Sequence, residues 1–262
     1  GLDGSTPTPG YQRLTDITRW QEQVEIPDVD ALFSSAMAQQ RLQGVEREKE
    51  VVQGLLLSGT FERVNQMLGF ENALCAFYEE PEAMHDLLHT IADYKLRCID
   101  KMVELVDPDV IIMHDDWGMS TNMLFSPEIW REFIRPLEKR YAERIHSYGK
   151  LYEHHSCGYI TPIVGDLVEI GVDALNPLNV CNDLDRLCAE YGGKLALLGG
   201  LDNQLIDRAG TTEAEIRAEV RRAMDAYGPC GSYLPYYIAT NGARKEIVAD
   251  ETERYGAQLA SA

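Results

Sequence analysis

The run Asp109-Val110-Ile111-Ile112-Met113-His114 has the clearest strand pattern in the sequence. Consecutive apolar residues over the length of one strand are typical of a strand that is buried on both faces, as in parallel sheets. Pro108 breaks the helical pattern that precedes this run, and Asp115-Asp116-Trp117-Gly118 follows it directly. The sequence therefore predicts a buried parallel strand that ends in a cluster of polar residues.

Five further runs with the character of short strands lie on either side of this one. They cover residues 51–57, 150–156, 172–177, 195–198 and 231–236. Helical patterns lie between them, at residues 30–50, 61–68, 81–106, 126–148, 161–170, 184–191, 212–227 and 246–260, and Gly228 is expected as a left-handed C-cap. Strands that alternate with helices in this way predict a parallel sheet covered by helices.

Two architectures fit this alternation, a closed (β/α)8 barrel and a doubly wound open sheet. A nucleotide-binding open sheet requires a glycine fingerprint after an early strand, and no Gly-x-Gly-x-x-Gly occurs in the chain. The barrel is therefore favoured, although it is one or two strands short. We predict a single α/β domain over residues 1–262, a TIM-type barrel, in which residues 1–29 form an irregular lead-in.

Charge and cysteine content restrict the partners and the compartment. The 262 residues include 24 Lys and Arg against 43 Asp and Glu, a formal net charge of −19. This charge repels nucleic-acid phosphates and anionic lipid surfaces, so we expect neither as a partner; acidity is also a common means of keeping a protein soluble. Six cysteines without framework spacing, and no apolar run of about 18 residues, predict a cytoplasmic protein.

Polar side chains stand at the ends of the predicted strands, where a barrel gathers its functional groups. They are Ser58, Thr60, His114, Asp115, Asp116, His155, Cys157, Asn176, Asp202 and Tyr236 or Tyr237. We expect them to converge on one site.

His155 and Cys157 are the candidate metal ligands. Imidazole and thiolate are ligands that zinc prefers, and both can reach one ion if the backbone turns at Ser156. A catalytic zinc needs three protein ligands, so a third must come from elsewhere in the chain. The alternative, which the spacing alone leaves open, is a buried cysteine packed as a small apolar group with a hydrogen-bonded histidine beside it.

Asp115 and Asp116 are the candidate carboxylates. Adjacent residues on a strand point to opposite faces, so only one of them is expected to face a pocket. That aspartate can act as a general acid or base, orient a metal ligand or bind the substrate; the alternative is that it caps the following loop. His114, just before them, is predicted to be buried scaffold.

Six motifs in register resemble the uroporphyrinogen decarboxylase superfamily over about residues 50–237. They are Ser58-Gly59-Thr60-Phe61-Glu62-Arg63, Asp115-Asp116-Trp117-Gly118, the segment from Ser126-Pro127 to Pro136, His155-Ser156-Cys157-Gly158, the segment Gly171–Pro177, and Gly199-Gly200-Leu201-Asp202. The resemblance implies a (β/α)8 barrel that lacks its N-terminal segment here.

The superfamily has two branches, and the resemblance is greater to the corrinoid-linked methyltransferases of O-demethylase type. In that branch His-x-Cys with a later cysteine binds zinc. This implies a zinc ion on His155 and Cys157, while the later cysteine is replaced here by Tyr236-Tyr237. A tyrosine oxygen, Glu153 or His114 would have to substitute for it, or the metal site is altered.

The resemblance thus implies a methyltransferase that moves a methyl group between a small methylated substrate and a corrinoid protein. Asp115 or Asp116 is expected to orient the substrate or handle protons, with Asn176, Asp202 and Tyr237 lining the pocket. Two alternatives stay open. One is a cofactor-free uroporphyrinogen decarboxylase of porphyrin biosynthesis, although the early arginine-rich segment of those enzymes is missing here. The other is a non-catalytic barrel that binds a corrinoid protein or a small ligand.

Overall fold

Each of the six apolar runs forms a β-strand in the computed structural model, which describes residues 12–238 and 241–261. The described residues divide into two units, which are treated separately below. The first unit lies within Gly1–Asp116 and Phe125–His154. The second unit lies within Trp117–Leu124 and His155–Ala262.

The first unit is a parallel sheet with helices. Its strands are β1 (Gln53–Leu56), β2 (Val110–His114) and β3 (Leu151–His155, whose last residue belongs to the second unit). β1 pairs in parallel with β2, in a register that places Gln53 opposite Val110 and Leu56 opposite Met113, and β3 follows β2 in the sheet order.

Helices precede, connect and follow these strands. They are α1 (Trp20–Gln23), α2 (Val29–Leu32), α3 (Ser35–Leu42), α4 (Thr60–Leu68), α5 (Phe70–Glu79), α6 (Pro81–Val106), α7 (Pro127–Ile129) and α8 (Arg135–Ser147). A single π-helical segment, Trp130–Ile134, joins α7 to α8. The apolar stripe of α6 is buried, including Leu87, Leu88, Ile91 and Ile99, so the periodicity in the sequence identified its inner face.

The second unit repeats the strand–helix alternation. Its strands are β4 (Ala174–Leu178), β5 (Ala196–Gly200) and β6 (Tyr233–Tyr236), and its helices are α9 (Val164–Ile170), α10 (Leu184–Tyr191), α11 (Asn203–Asp207), α12 (Glu213–Tyr227) and α13 (Gly242–Leu259). β5 pairs in parallel with both β4 and β6. An apolar cluster centred on Ile206, Ile216 and Val220 packs α11, α12 and α13 together.

The predicted α/β organisation is confirmed, and three local predictions differ from the structure. The helix predicted over residues 30–50 is split, because Ser34 caps a new helix by accepting a hydrogen bond from the N–H of Met37 at 3.4 Å, and this second helix already ends at Leu42. Residues 17–23, predicted as irregular lead-in, form a 3-10 turn (Ile17–Arg19) and α1. This start of the chain is anchored because Trp20 is buried and its Nε1 donates to Asp86 at 3.1 Å.

The third difference concerns the end of α12. Gly228 has a right-handed conformation rather than the predicted left-handed one, and the chain continues as a 3-10 turn, Gly228–Cys230. Pro229 fits this first turn because it needs no N–H donor there. The left-handed residue is Gly231, at φ +79°.

No helix in the described part of the chain combines the length and the apolar character that crossing a membrane requires.

Candidate functional site

Asp115, at the carboxyl end of β2, caps helix α4. Its two carboxylate oxygens accept hydrogen bonds from the backbone N–H groups of Phe61 and Glu62, at 2.9 and 2.8 Å. The carboxylate lies at the helix N-terminus, where unpaired N–H donors and the helix dipole favour negative charge. A Cβ atom on Gly59 would be 2.3 Å from the Cβ of Asp115, so the chain entering α4 needs a glycine there.

Glu62 and His114 form an ion-pair contact beside this cap. Nδ1 of His114 lies 2.8 Å from Oε2 of Glu62, and the same carboxylate accepts the N–H of Gly59 at 3.3 Å. Only 18% of the His114 side chain is exposed and 7% of that of Glu62. The prediction of His114 as buried scaffold omitted this acidic partner.

The pKa values of this cluster reflect its burial. Burial, and next the negative charge of Glu62, raise the pKa of Asp115 to about 7, against the opposing effect of the two backbone donors. Burial lowers the pKa of His114, but the hydrogen bond and the charge of Glu62 outweigh this effect, so the net shift is upward. Lys95 is buried and donates to the carbonyl of Leu57 at 2.8 Å, and burial lowers its pKa to about 8.

His155 and Cys157 lie together in the second unit. Nε2 of His155 is 3.6 Å from Sγ of Cys157. On its other side, Nδ1 of His155 lies 2.8 Å from Oδ1 of Asn176, which can only accept a hydrogen bond. In the neutral ring the hydrogen is therefore on Nδ1 and the lone pair on Nε2, the nitrogen that faces the thiol.

The backbone around Cys157 is closely packed. The N–H of Ser156 donates to the carbonyl oxygen of Asn176 at 2.9 Å. The side-chain Oγ of Ser156 accepts the N–H of Trp117 at 3.0 Å. Gly158 has φ +83°, and a Cβ on it would be 2.3 Å from the carbonyl carbon of Gly118. The sequence His-Ser-Cys-Gly thus ends in glycine for a steric reason.

The remaining predicted site residues have well-defined positions. Asp116 is half-buried, just beyond β2. Asp202 caps α11 by accepting the N–H of Leu205 at 3.0 Å. Tyr237 is buried in the apolar cluster of α11–α13, where its hydroxyl donates to Asp207 at 2.5 Å. The catalytic roles of these residues stay predictions.

Three residues that contact the site were missed in the sequence. Glu62 has a recognisable signal, because Gly59-x-x-Glu62 matches the spacing of a helix capping box. The other two are Asn179 and Asn182, whose side chains bind the backbone of residues 158–161. Their spacing of three from Asn176 is visible in the sequence, but it does not predict what they bind.

Known proteins similar to this chain fall into two groups. Among the sequence relatives, the uroporphyrinogen decarboxylase of Methylococcus capsulatus is 27% identical over 165 residues, which are 61% of this chain and 43% of that protein. The uroporphyrinogen decarboxylase of Azoarcus sp. is 28% identical over 162 residues, 58% of this chain and 41% of that protein. The matches thus span less than half the length of these relatives.

The second group is structural. A methyltransferase from Methanosarcina mazei superposes with a TM-score of 0.72 at 14% identity, over 93% of this chain and 71% of that chain, which shows a shared fold. The model of the uroporphyrinogen decarboxylase (URO-D) family matches residues 18–239. The motifs that surround Asp115 and Cys157 lie within the matched region, and the chain belongs to the URO-D family.

Proposed function

We propose that this protein is a cytoplasmic methyltransferase of the URO-D family, which transfers a methyl group between a small methylated substrate and a corrinoid carried on a separate protein. His155 and Cys157 would hold a zinc ion in it. We further propose that the strand–helix units belong to a (β/α)8 barrel, which is the fold that the resemblance implies.

The distance between the two candidate ligand atoms carries this proposal. Zinc bonds of about 2.3 Å to sulfur and 2.0–2.1 Å to nitrogen, at a tetrahedral angle, separate the two ligand atoms by about 3.5–3.6 Å. Nε2 of His155 and Sγ of Cys157 are 3.6 Å apart. The contact of His155 with Asn176 is of the kind that fixes a metal-binding imidazole in the required tautomer.

Bound zinc would supply Lewis-acid polarisation of the oxygen or sulfur atom that loses or gains the methyl group. Asp116 is the stronger candidate for substrate binding or proton handling, because both oxygens of Asp115 already accept hydrogen bonds from α4. Asn176 would orient His155. Asp202 and Tyr237 would act by shaping α11 and its surroundings, since their polar atoms bind Leu205 and Asp207.

Metal analysis tests the ligand set, and a transfer assay tests the reaction. We expect purified protein to contain zinc and Cys157→Ala to contain much less, whereas the absence of zinc from both samples would rule out the metal role. Methylcobalamin can serve as the corrinoid probe, with phenol and thiol acceptors. Methyl transfer by the wild-type protein, and its loss in Cys157→Ala, is the expected result.

A uroporphyrinogen decarboxylase is the second candidate, because the sequence relatives named above carry that name. Such an enzyme would convert uroporphyrinogen to coproporphyrinogen without zinc. Incubating the protein with uroporphyrinogen and separating the products decides between the two functions. Turnover that is unaffected by Cys157→Ala would favour the decarboxylase.

A further inference from the structure

An asparagine occurs at every third position through the end of β4 and the segment after it: Asn176 lies in β4, and Asn179 and Asn182 follow the strand. All three side chains bind the loop that contains His155 and Cys157. Asn176 binds the imidazole of His155, while Asn179 and Asn182 bind the backbone of residues 158–161. One short segment therefore contacts the candidate metal loop from its first ligand to beyond its second.

Asn179 secures the residue that follows Cys157. Its Oδ1 accepts the backbone N–H of Gly158 at 2.8 Å. The residue before Cys157 is secured as well, because the N–H of Ser156 donates to the main-chain oxygen of Asn176 at 2.9 Å. Cys157 thus has an anchored peptide group on each side, one held by Asn176 in β4 and the other by Asn179 just after that strand.

Asn182 secures the rest of the loop. Its Oδ1 accepts the N–H groups of Ile160 and Thr161, at 2.9 and 3.0 Å, and the Thr161 hydroxyl at 3.0 Å. Its Nδ2 donates to the carbonyl oxygens of Gly158 and Asn179, at 2.9 and 3.1 Å. The amide is 6% exposed, and donors face its oxygen while acceptors face its nitrogen. An aspartate of the same shape would place a carboxylate oxygen against two carbonyl oxygens.

We propose that Asn179 and Asn182 are positioning residues for the zinc site, which hold the Cys157 thiol at ligand distance from His155 before the ion binds. This inference rests on the proposed function. Gly158 has a left-handed backbone conformation. A glycine in an unrestrained loop can adopt many other conformations as well. Side-chain anchors on both of its peptide groups remove that freedom, so metal binding has less conformational entropy to overcome.

Asn179 offers a matched pair of variants. Asn179→Ala removes the acceptor for the Gly158 N–H, whereas Asn179→Asp keeps a carboxylate oxygen there. We expect Asn179→Ala to weaken Co²⁺ and Zn²⁺ binding roughly 10- to 100-fold, as partners of ligand residues typically do. We expect Asn179→Asp to bind within a few-fold of the wild-type protein. Asn182→Asp keeps the acceptor but loses both donors, so it should bind weakly.

Two measurements make the test independent of enzyme activity. Titration of metal-free protein with Co²⁺, followed by the thiolate-to-cobalt absorption band, gives the affinity and the geometry of the ligands. Hydrogen exchange of the metal-free protein gives the protection of the Gly158 amide. That amide should exchange faster in Asn179→Ala than in the wild-type protein, and Asn179→Asp should restore its protection.

The outcomes separate this inference from the proposed function. If the wild-type protein binds neither Co²⁺ nor Zn²⁺, the zinc role fails and the positioning role fails with it. If the wild-type protein binds both ions and Asn179→Ala binds them equally tightly, only the positioning role is overturned. Weak binding by Asn179→Ala, rescued in Asn179→Asp together with Gly158 protection, supports it.

Discussion

The imidazole of His155 and the side-chain amide of Asn176 are joined through Nδ1 and Oδ1 at 2.8 Å, and this contact leaves Nε2 as the unprotonated nitrogen of the neutral ring. Without an acceptor at residue 176, the ring can place its hydrogen on either nitrogen and rotate more freely. We therefore predict that Asn176→Ala weakens zinc binding roughly 10- to 100-fold. Competition with a chromophoric chelator measures the change.

Asn176→Asp is the control for this prediction, since a carboxylate accepts the same Nδ1–H more strongly. Its zinc affinity should equal or exceed that of the wild-type protein, with a similar thermal midpoint. Equal affinities of the wild-type protein and Asn176→Ala would show that this contact does not orient the ligand.

Gly158 tests the steric basis of the same loop. Gly158→Ala forces a side chain into a left-handed backbone at φ +83° and places Cβ 2.3 Å from the carbonyl carbon of Gly118. We predict a loss of about 3 kcal/mol or more in the free energy of unfolding, from about 1 kcal/mol of backbone strain and a larger contribution from the forced backbone shift. Chemical denaturation measures the loss.

Gly149→Ala is a matched control, because Gly149 has φ +68° but nothing within 4 Å of an added Cβ. It should lose only about 1 kcal/mol. Equal losses in the two variants would mean that the approach of Gly118 contributes nothing to the effect.

The strands were predictable because neighbouring residues in the sequence determine where each strand begins, ends and is buried. Val110–Met113 are apolar on consecutive positions, and Pro108 and Asp115 bound the run, so burial, length and ends all follow from neighbouring residues. Ser126 and Thr212 likewise predicted the N-termini of two helices, and the side chain of each accepts the expected backbone hydrogen bond. The end of α12 was wrong because two glycines, Gly228 and Gly231, could serve as the left-handed residue.

The site was only half predictable, for a different reason. His155 and Cys157 are two residues apart, so their proximity is a local property of a strand end. Asn182 binds residues 158–161 across more than twenty positions of sequence, and Glu62 reaches His114 through the register of β1 with β2. Such contacts depend on tertiary packing, and no periodicity in a single sequence encodes them.

Asp115 gives a pH-dependent prediction. Its pKa in the folded protein is raised to about 7, mainly by burial, against about 3.9 in an unfolded chain. Between these values the folded state retains a proton that the unfolded state has released, so the stability from this group falls as the pH rises from about 4 to about 7. Asp115→Asn cannot titrate, so it should lack this part of the pH dependence.

The measurement is the free energy of unfolding at pH 5 and at pH 8 for both proteins. Asp115→Asn is expected to be less stable than the wild-type protein at pH 5. Both oxygens of the wild-type carboxyl can still accept the N–H groups of α4 at that pH, whereas the amide of asparagine has only one acceptor oxygen. The gap should narrow toward pH 8 by an amount of the order of 1 kcal/mol or more. A gap of the same size at pH 5 and at pH 8 would show that the carboxylate is ionised in the folded protein throughout this range.

Glu251, on α13, joins the two last helices through arginines and gives the opposite pH dependence. This buried carboxylate accepts from Arg217 at 2.8 Å, from Arg254 at 2.5 Å and from Arg221. Burial raises its pKa, but the three arginines outweigh burial and lower the pKa to about 2. The stabilisation is therefore complete above about pH 4.3 and is lost as the pH falls through about 2.

We predict that Glu251→Gln lowers the free energy of unfolding at pH 7 by about 1–3 kcal/mol, less than for a fully buried pair because the arginines remain partly exposed to solvent. Glu253→Gln, at an exposed position on the same helix, should change it by less than about 0.5 kcal/mol. Urea denaturation at pH 7 and pH 3 distinguishes the two variants, since the deficit of Glu251→Gln should shrink toward the lower pH while that of Glu253→Gln stays small. A deficit that is independent of pH would mean that packing of the side chain, rather than its charge, links α12 to α13.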